Sequence, residues 1–530
     1  MFKNNFKYDL PAGVVVFFVA IPLCLGVALA SGAPLFSGII AGFVGGIVVG
    51  IISNSSIGVS GPSPGLTVIV LSSIASLGTF EIFLVAVVLA GMFQIFFGFA
   101  KAGFVSHFFP TSVIKGMLVA IGLIIIFKQV PHAIGYDKDY LGDLAFQQND
   151  GENTISELYK MLGAITPSAI LVCVLSLIII IYWEKSISRL HPILKFLPGP
   201  FVAVGVGILY QLSLSHFFSN LALQPEHLVS VPVSKTASEF FSQFTLPEFS
   251  VGLFRKDVWL AAAAISITAS LESLMCVEAT NKLIAGLKRT NTDQELIAQG
   301  AGNIVSGLLG GLPVSQAIVR SSSNIQAGGK TKAATITHGV MILLCVAIFP
   351  GILNLVPLAS LAAILLVVGF RLVKPTEFVD VYRQGLKQFL PFIITVIGVV
   401  VTDLLSGIAM GAGVAILILL RSSLQNSYTS RIENHKGTWH VKIKLAQQIY
   451  FFSKGAIQKE LSRVPVGSKV FIDGSNCINI DYEVLQVILD FKNSSEVKRI
   501  TVELIGRLLS DSNVVQHENK EIHEEEPVSI

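Results

Sequence analysis

Apolar runs of membrane length, bounded by glycine, proline or charge, recur along most of this chain. They lie near residues 12–31, 36–53, 63–78, 82–100, 110–128, 164–183 and 198–216, and again near 258–277, 293–310, 314–323, 333–350, 357–371, 389–403 and 405–421. The pattern predicts an all-α polytopic membrane domain over residues 1–425, with fourteen transmembrane segments in two repeats of seven, about 8–218 and 255–422. The third and tenth segments are too short or too broken to cross fully. An odd number of spans per repeat makes the second enter the membrane from the opposite side, so the repeats are inverted. Beyond Arg421 the period changes. Val441-Lys-Ile-Lys-Leu445, Gln448-Ile-Tyr-Phe-Phe452, Lys469-Val-Phe-Ile-Asp473 and Arg499-Ile-Thr-Val-Glu503 read as strands, and Lys454 to Leu461 and Asp481 to Phe491 as helices. That predicts a small α/β module over 434–510, followed by a polar acidic tail, 511–530, expected to be disordered.

Two of the apolar runs are interrupted in the same way. Gly61-Pro-Ser-Pro-Gly-Leu-Thr67 and Gly310-Gly-Leu-Pro-Val-Ser-Gln-Ala-Ile-Val-Arg320 occupy corresponding places, and an offset of about 251 residues carries Pro62 onto Pro313. Short, proline-interrupted segments at matching positions of two repeats point to a transporter whose site is built from half-helices near the bilayer midplane. A helix that starts inside the membrane offers free N–H groups and the positive end of its dipole, which together bind anions. The expected donors are the backbone N–H groups around Leu66, Thr67, Gln316, Ala317 and Ile318, with the hydroxyls of Thr67 and Ser315.

Composition and charge fit that reading. The chain is 52% hydrophobic and 13% charged, roughly half the charged fraction of a soluble domain. A net charge of +3 is too small an excess to imply nucleic acid. Lys3 and Lys7 before a run ending in Ala28-Leu-Ala30 imitate a secretory leader, but a chain with many further spans is expected to keep its first one. With the N-terminus inside, the loops expected to be cytoplasmic carry Lys101, Lys185, Arg189, Lys282, Arg289, Lys330, Lys332, Arg371 and Lys374, as the positive-inside rule requires. The loop after the fifth span instead carries Asp137, Asp139, Asp143, Asp150, Glu152 and Glu157. The five cysteines are scattered without metal-ligand spacing, and no nucleophile–base constellation suggests an enzyme. His107, His132, His191 and His338 show no ligand pairing and are expected at interfaces.

Asp9-Leu-Pro-Ala-Gly13, Gly61-Pro-Ser-Pro-Gly-Leu-Thr67 and the long run from Gln299-Gly-Ala-Gly-Asn303 through Pro313 to Arg320 resemble the SulP anion transporters, and Val470 to Asp481 resembles the strand–loop–helix of their cytoplasmic STAS domain. The usual Asp-Ser-Ser-Gly helix start is replaced by Asp481-Tyr-Glu-Val484. Within the family, Ser270-Leu-Glu-Ser-Leu-Met-Cys276 is similar to the Ser-Ile-Asp-Ser-Leu-Leu-Thr of the cyanobacterial sodium-dependent bicarbonate transporter type, whose acidic and Thr residues hold Na+. The resemblance implies Glu272 as the cation-coupling residue, with Cys276, a poorer ligand for a hard cation than a hydroxyl, beside it. It also implies a multi-pass protein of the bacterial inner membrane, in contact with lipid and dimeric, with both termini cytoplasmic.

The expected activity is secondary active import of a small inorganic anion, most of all bicarbonate, with Na+ or H+, by elevator-like movement of a core domain against a gate domain. No cofactor besides the coupling ion is expected. Sulfate or a dicarboxylate is the nearest alternative. A proton-coupled nucleobase permease would carry a second acid where Val314-Ser-Gln-Ala-Ile-Val319 stands, and a channel-like relative would lack Glu272. Arg320, two turns into the tenth segment, is expected either to add positive potential to the site, to pair with Glu272, or to snorkel to the cytoplasmic mouth.

Overall fold

The computed structural model of the chain describes residues 2–138, 146, 153–185, 197–217, 222–231, 236–283, 289–425, 427–435, 438–495 and 499–510. The acidic tail and several of the expected loop charges, among them Asp139, Asp143, Arg189 and His191, lie outside them. The chain forms two compact units, 1–412 and 413–530.

The first unit is helical. Helices stand at the apolar segments in order: α1 (Phe2–Ala30), α2 (Leu35–Val44, continued through a π turn to Ile52), α3 (Thr67–Leu77), α4 (Phe80–Phe99), α5 (Thr111–Ile134), α6 (Pro167–Lys185), α7 (Gly199–Phe217), α8 (Lys256–Leu283), α9 (Thr292–Leu309), α10 (Ile318–Gln326), α11 (Ala333–Ile348), α12 (Leu358–Leu372), α13 (Leu386–Val401) and α14 (Leu404–Gln425). Among the described residues, seven helices are long and apolar enough to cross a membrane, or eight if the pair bent by 116° before α6 is one span. Four further apolar helices are shorter. Helix α9 has a polar face and α10 has nine residues, so neither reads as an ordinary span.

Helix ends follow local chemistry. The Asn291 side chain accepts from the Asp293 and Gln294 N–H groups to open α9, and Gly310, at φ +91°, closes it in the left-handed conformation that glycine adopts without strain. Helices α4 and α9 pack closely because Gly91 and Gly300 face each other: a Cβ on either would lie 2.5 Å from the other's carbonyl oxygen. That approach holds together two helices whose contacting glycines lie 209 residues apart in the chain.

The second unit contains a four-stranded sheet in the order β3 (Tyr428–His435), β4 (Thr438–Leu445), β6 (Lys469–Asp473), β8 (Thr501–Ile505). Two short strands, β5 (Gln448–Ile449) and β7 (Asn479–Ile480), pair beside it. Strands β4, β6 and β8 run parallel, with α15 (Lys454–Ser462) and α16 (Tyr482–Ser494) in the crossovers. Val441, Ile443 and Leu445 alternate into the core while Lys442 and Lys444 face out, the period-2 signal that marks the strand in the sequence. Strand β3, antiparallel to β4, adds an edge that begins before residue 434.

Candidate functional site

The two broken segments meet. Ser60–Pro62 (β1) and Val314–Gln316 (β2) pair antiparallel, with Gly61 opposite Ser315, and the Ala317 N–H donates to the Val59 carbonyl at 3.0 Å. Each strand leads at once into a helix: β1 through a 3-10 turn at Pro64–Leu66 into α3, and β2 through Ala317 into α10. Proline at the start of the first turn costs no hydrogen bond, because helix geometry leaves that N–H without an acceptor. Two helix N-termini thus open on one cavity of about 310 Å³, lined by Ser63, Gly65, Thr67, Ala317, Ile318 and Val319, by Glu272 and Cys276 of α8, and by Ile121, Ile124, Val399 and Asp403.

Glu272 ties this arrangement together. It is buried, and it accepts hydrogen bonds from Ser63 of the first broken segment and from Ser315 of the second, the latter at 3.1 Å. Cys276, one turn along α8, is a free buried thiol lining the same cavity. Glu272, the Ser63 and Ser315 hydroxyls and Cys276 form a compact donor set, in which the oxygens suit a hard monovalent cation and the sulfur does not.

The backbone donors differ from those the sequence suggests. The N–H groups of Leu66, Gln316 and Ala317 are already engaged, by the Ser63 carbonyl, the Ser273 hydroxyl and the Val59 carbonyl, and the Thr67 N–H points back to Pro64. Helix geometry instead leaves Gly65, Ile318 and Val319 without intrahelical acceptors, and all three line the cavity, where the Ile318 N–H meets the Cys276 sulfur and those of Gly65 and Val319 stay available. The Thr67 side chain is at the cavity wall. Leu66 packs away from it in the apolar core, and Ser315 and Gln316 are fully buried.

Arg320 takes a place that two of its expected roles exclude. It is 1% exposed, so it does not snorkel, and no ion pair joins it to Glu272 among the described residues. Its Nη2 donates to the Pro62 carbonyl at 3.3 Å and to Cys24 Sγ at 3.4 Å, holding the first broken segment from behind. It does not line the cavity, and any effect of its charge there acts through the protein.

A polar stripe on α9 supports the crossing. Glu295 accepts from Ser53 and from Gln299 Nε2 (2.7 Å), Gln299 Nε2 also donates to Ser60 of β1 at 2.7 Å, and Ser306 donates to the Leu312 carbonyl at 2.6 Å. Asn303 grips β2 by both backbone groups of Val314, at 2.5 and 3.0 Å, and donates to Gln94 of α4 at 2.6 Å. Spaced four residues apart, Glu295, Gln299 and Asn303 share one helix face, which is why α9 is too polar for an ordinary span.

The histidines are not interfacial as a group. His338 is fully buried in α11, and His132, at the end of α5, is buried against Asp137. The Asp137 carboxylate meets Nδ1 of both His132 and His227 at 2.6 Å. Burial works to raise its pKa, but the hydrogen bonds to His132 and His227 and their charges prevail and hold it below the usual range. The bond to Asp137 raises that of His227.

Paired broken helices around a central cavity, in a chain of apolar helices, define a membrane carrier fold. The chain belongs to the sulfate permease family, whose model matches residues 6–397. It is 30% identical over 438 residues, 82% of this chain and 76% of the relative, to the Bacillus subtilis protein named "Putative sulfate transporter YvdB", and 25% identical over 443 residues, 81% and 73%, to the bicarbonate transporter BicA of a Picosynechococcus species. The bicarbonate transporter is thus the less similar of the two over the chain as a whole. Among solved structures, the transmembrane domain of a cyanobacterial BicA aligns with TM-score 0.54 at 24% identity, covering 76% of this chain and 97% of that one. SLC26A9 aligns with TM-score 0.67 at 16% identity, covering 98% and 87%. These likenesses show the fold. The protein is a multi-pass membrane anion transporter and not an enzyme.

Proposed function

We propose that the chain imports bicarbonate by secondary active transport coupled to Na+, or to H+ at the same carboxyl. The observation that carries the coupling is Glu272, a buried acid joined by one hydroxyl to each broken segment. A cation held there would cancel the charge of Glu272, which opposes an anion at the two helix N-termini. The free N–H groups of Gly65 and Val319 and the Thr67 hydroxyl would hold the anion. The fourteen segments would form two inverted repeats of seven, with α1–α4 and α8–α11 as a moving core and α5–α7 and α12–α14 as a gate, in a dimer with cytoplasmic termini in a bacterial plasma membrane. Residues 434–510 would form a STAS-like module.

Sulfate is the second reading, favoured by the 30% identity to a relative named for sulfate. Uptake of labelled bicarbonate and sulfate into proteoliposomes, with Na+ and pH gradients imposed separately, tests both. Bicarbonate accumulation under an inward Na+ gradient is the expected result. Accumulation of sulfate in preference, or of neither anion under either gradient, overturns the proposal.

A further inference from the structure

The cavity that Glu272 lines is lined by a second acid as well. Asp403 sits in the turn between α13 and α14, facing the same space as Thr67 and Ile318. Helix α13 has 16 residues, about 24 Å at 1.5 Å per residue, against a hydrocarbon core of about 30 Å. The helix is therefore shorter than the hydrocarbon core is thick; inside a membrane a carboxylate is costly unless it faces water, protein or a cation, and Asp403 is exposed at the cavity. One oxygen of Asp403 accepts from the Leu405 and Ser406 N–H groups, both at 3.0 Å, which fixes the side chain as the N-cap of α14.

The charge balance of the cavity follows from its lining. No Lys, Arg or His side chain is among the described residues that line it. Positive potential comes from the two helix N-termini, each equivalent to about half a unit charge, or roughly one charge together. That sum matches one negative charge on a substrate. A coupling cation at Glu272 removes the charge of that carboxylate, and nothing in the lining removes that of Asp403.

We infer that Asp403 is a specificity-determining residue that selects by charge, admitting singly charged anions such as bicarbonate and rejecting dianions such as sulfate. The inference rests on the reading of this cavity as the anion site. Across a cavity of this size, at an effective dielectric of about 20, one like charge costs each added unit of substrate charge roughly tenfold in affinity.

Asp403→Asn separates the two roles of the residue, since Asn caps a helix about as well as Asp but carries no charge. The expected result is a rise of about tenfold in the ratio of sulfate to bicarbonate affinity, measured by competition against labelled bicarbonate uptake in proteoliposomes, with Asp403→Glu keeping the parent ratio. If the Asn variant binds but does not transport, the same ratio is read from anion-dependent thermal shifts of the purified protein. If it does not fold, Asp403→Ser, another capping residue, takes its place. An unchanged ratio in the neutral variant overturns the charge filter while leaving bicarbonate transport by the parent protein intact. A parent protein that prefers sulfate overturns the functional reading itself.

Discussion

Ser63, set between two prolines of the first broken segment, donates its hydroxyl to the carboxylate of Glu272, 209 residues further along the chain. Because Ser315 reaches the same carboxylate from the second segment, the acid is placed to report on both helix starts at once.

Replacing Glu272 by Gln keeps the size and the hydrogen-bonding capacity but removes the charge. Uptake driven by a Na+ gradient is expected to collapse, while anion binding survives on the remaining N–H groups. Cys276→Thr should act in the opposite direction, placing a hard oxygen one turn from Glu272 and lowering the Na+ concentration needed for half-maximal uptake. Continued anion accumulation by the Gln variant under a Na+ gradient would move the coupling site elsewhere.

Thr67→Val exchanges a hydroxyl at the cavity wall for a methyl group of similar shape. Weaker anion binding by about 1.5 to 3 kcal/mol is expected, the range for one hydrogen bond to a charged group. Substrate titration of a well-folded variant checks this, and an unaltered affinity removes Thr67 from the anion's contacts.

Asn303 holds Val314 by both of its backbone groups, so Asn303→Leu orphans a buried N–H and a buried carbonyl. The cost is about 1 to 3 kcal/mol for each group. Asn303→Asp keeps the acceptor for the Val314 N–H and should recover part of the loss. Thermal melts of the purified variants, compared with their substrate affinities, read the effect; equal melting of parent and Leu variants would contradict the clamp.

The Asp137 cluster predicts a pH profile. His227 has its pKa raised by Asp137, so its contribution to stability is complete below the unfolded value, about 6.5, and is lost as pH rises through the folded value. Asp137 is depressed, so its contribution is present above about pH 4 and is lost as pH falls through its folded value. The tie is therefore strongest between about pH 4 and about pH 6.5. His227→Gln should flatten the decline in melting temperature above pH 6.5, with His132 and Glu226, the other members of the cluster, left in place. A parallel decline in both proteins would show that the bond to Asp137 contributes nothing.

Deleting the chain from Asn434 removes most of the second unit and none of the residues that line the cavity. Anion selectivity is expected to persist in proteoliposomes, whatever happens to rate or assembly. A changed order of substrate preference would make the second unit part of the selectivity apparatus.

The positions of the helices were legible in the sequence because the bilayer acts on each segment separately: a run such as Phe80–Phe99 is apolar on every side, and its length alone marks it. The broken segments were legible because proline and glycine punctuate locally, and Glu272 because a lone acid in an apolar run stands out. Alternation in Val441-Lys-Ile-Lys-Leu445 marked a strand for the same local reason. Ser63 and Asp403 were not legible in their roles, since a serine between prolines and an acid at a helix start are ordinary local choices. Their meaning depends on which distant groups face them. Arg320 reads in sequence as a charge near the site; packing against Pro62 and Cys24 puts it behind the crossing instead. The free donors shifted from Leu66, Gln316 and Ala317 to Gly65 and Val319 because the Ser63 and Val59 carbonyls and the Ser273 hydroxyl used up the former, and Cys276 takes the Ile318 N–H. The sequence by itself determined where helices start and break, for those are properties of neighbouring residues. Which N–H groups stay free, and which carboxylates share a cavity, was decided by contacts between segments some 200 residues apart, which tertiary structure alone supplies.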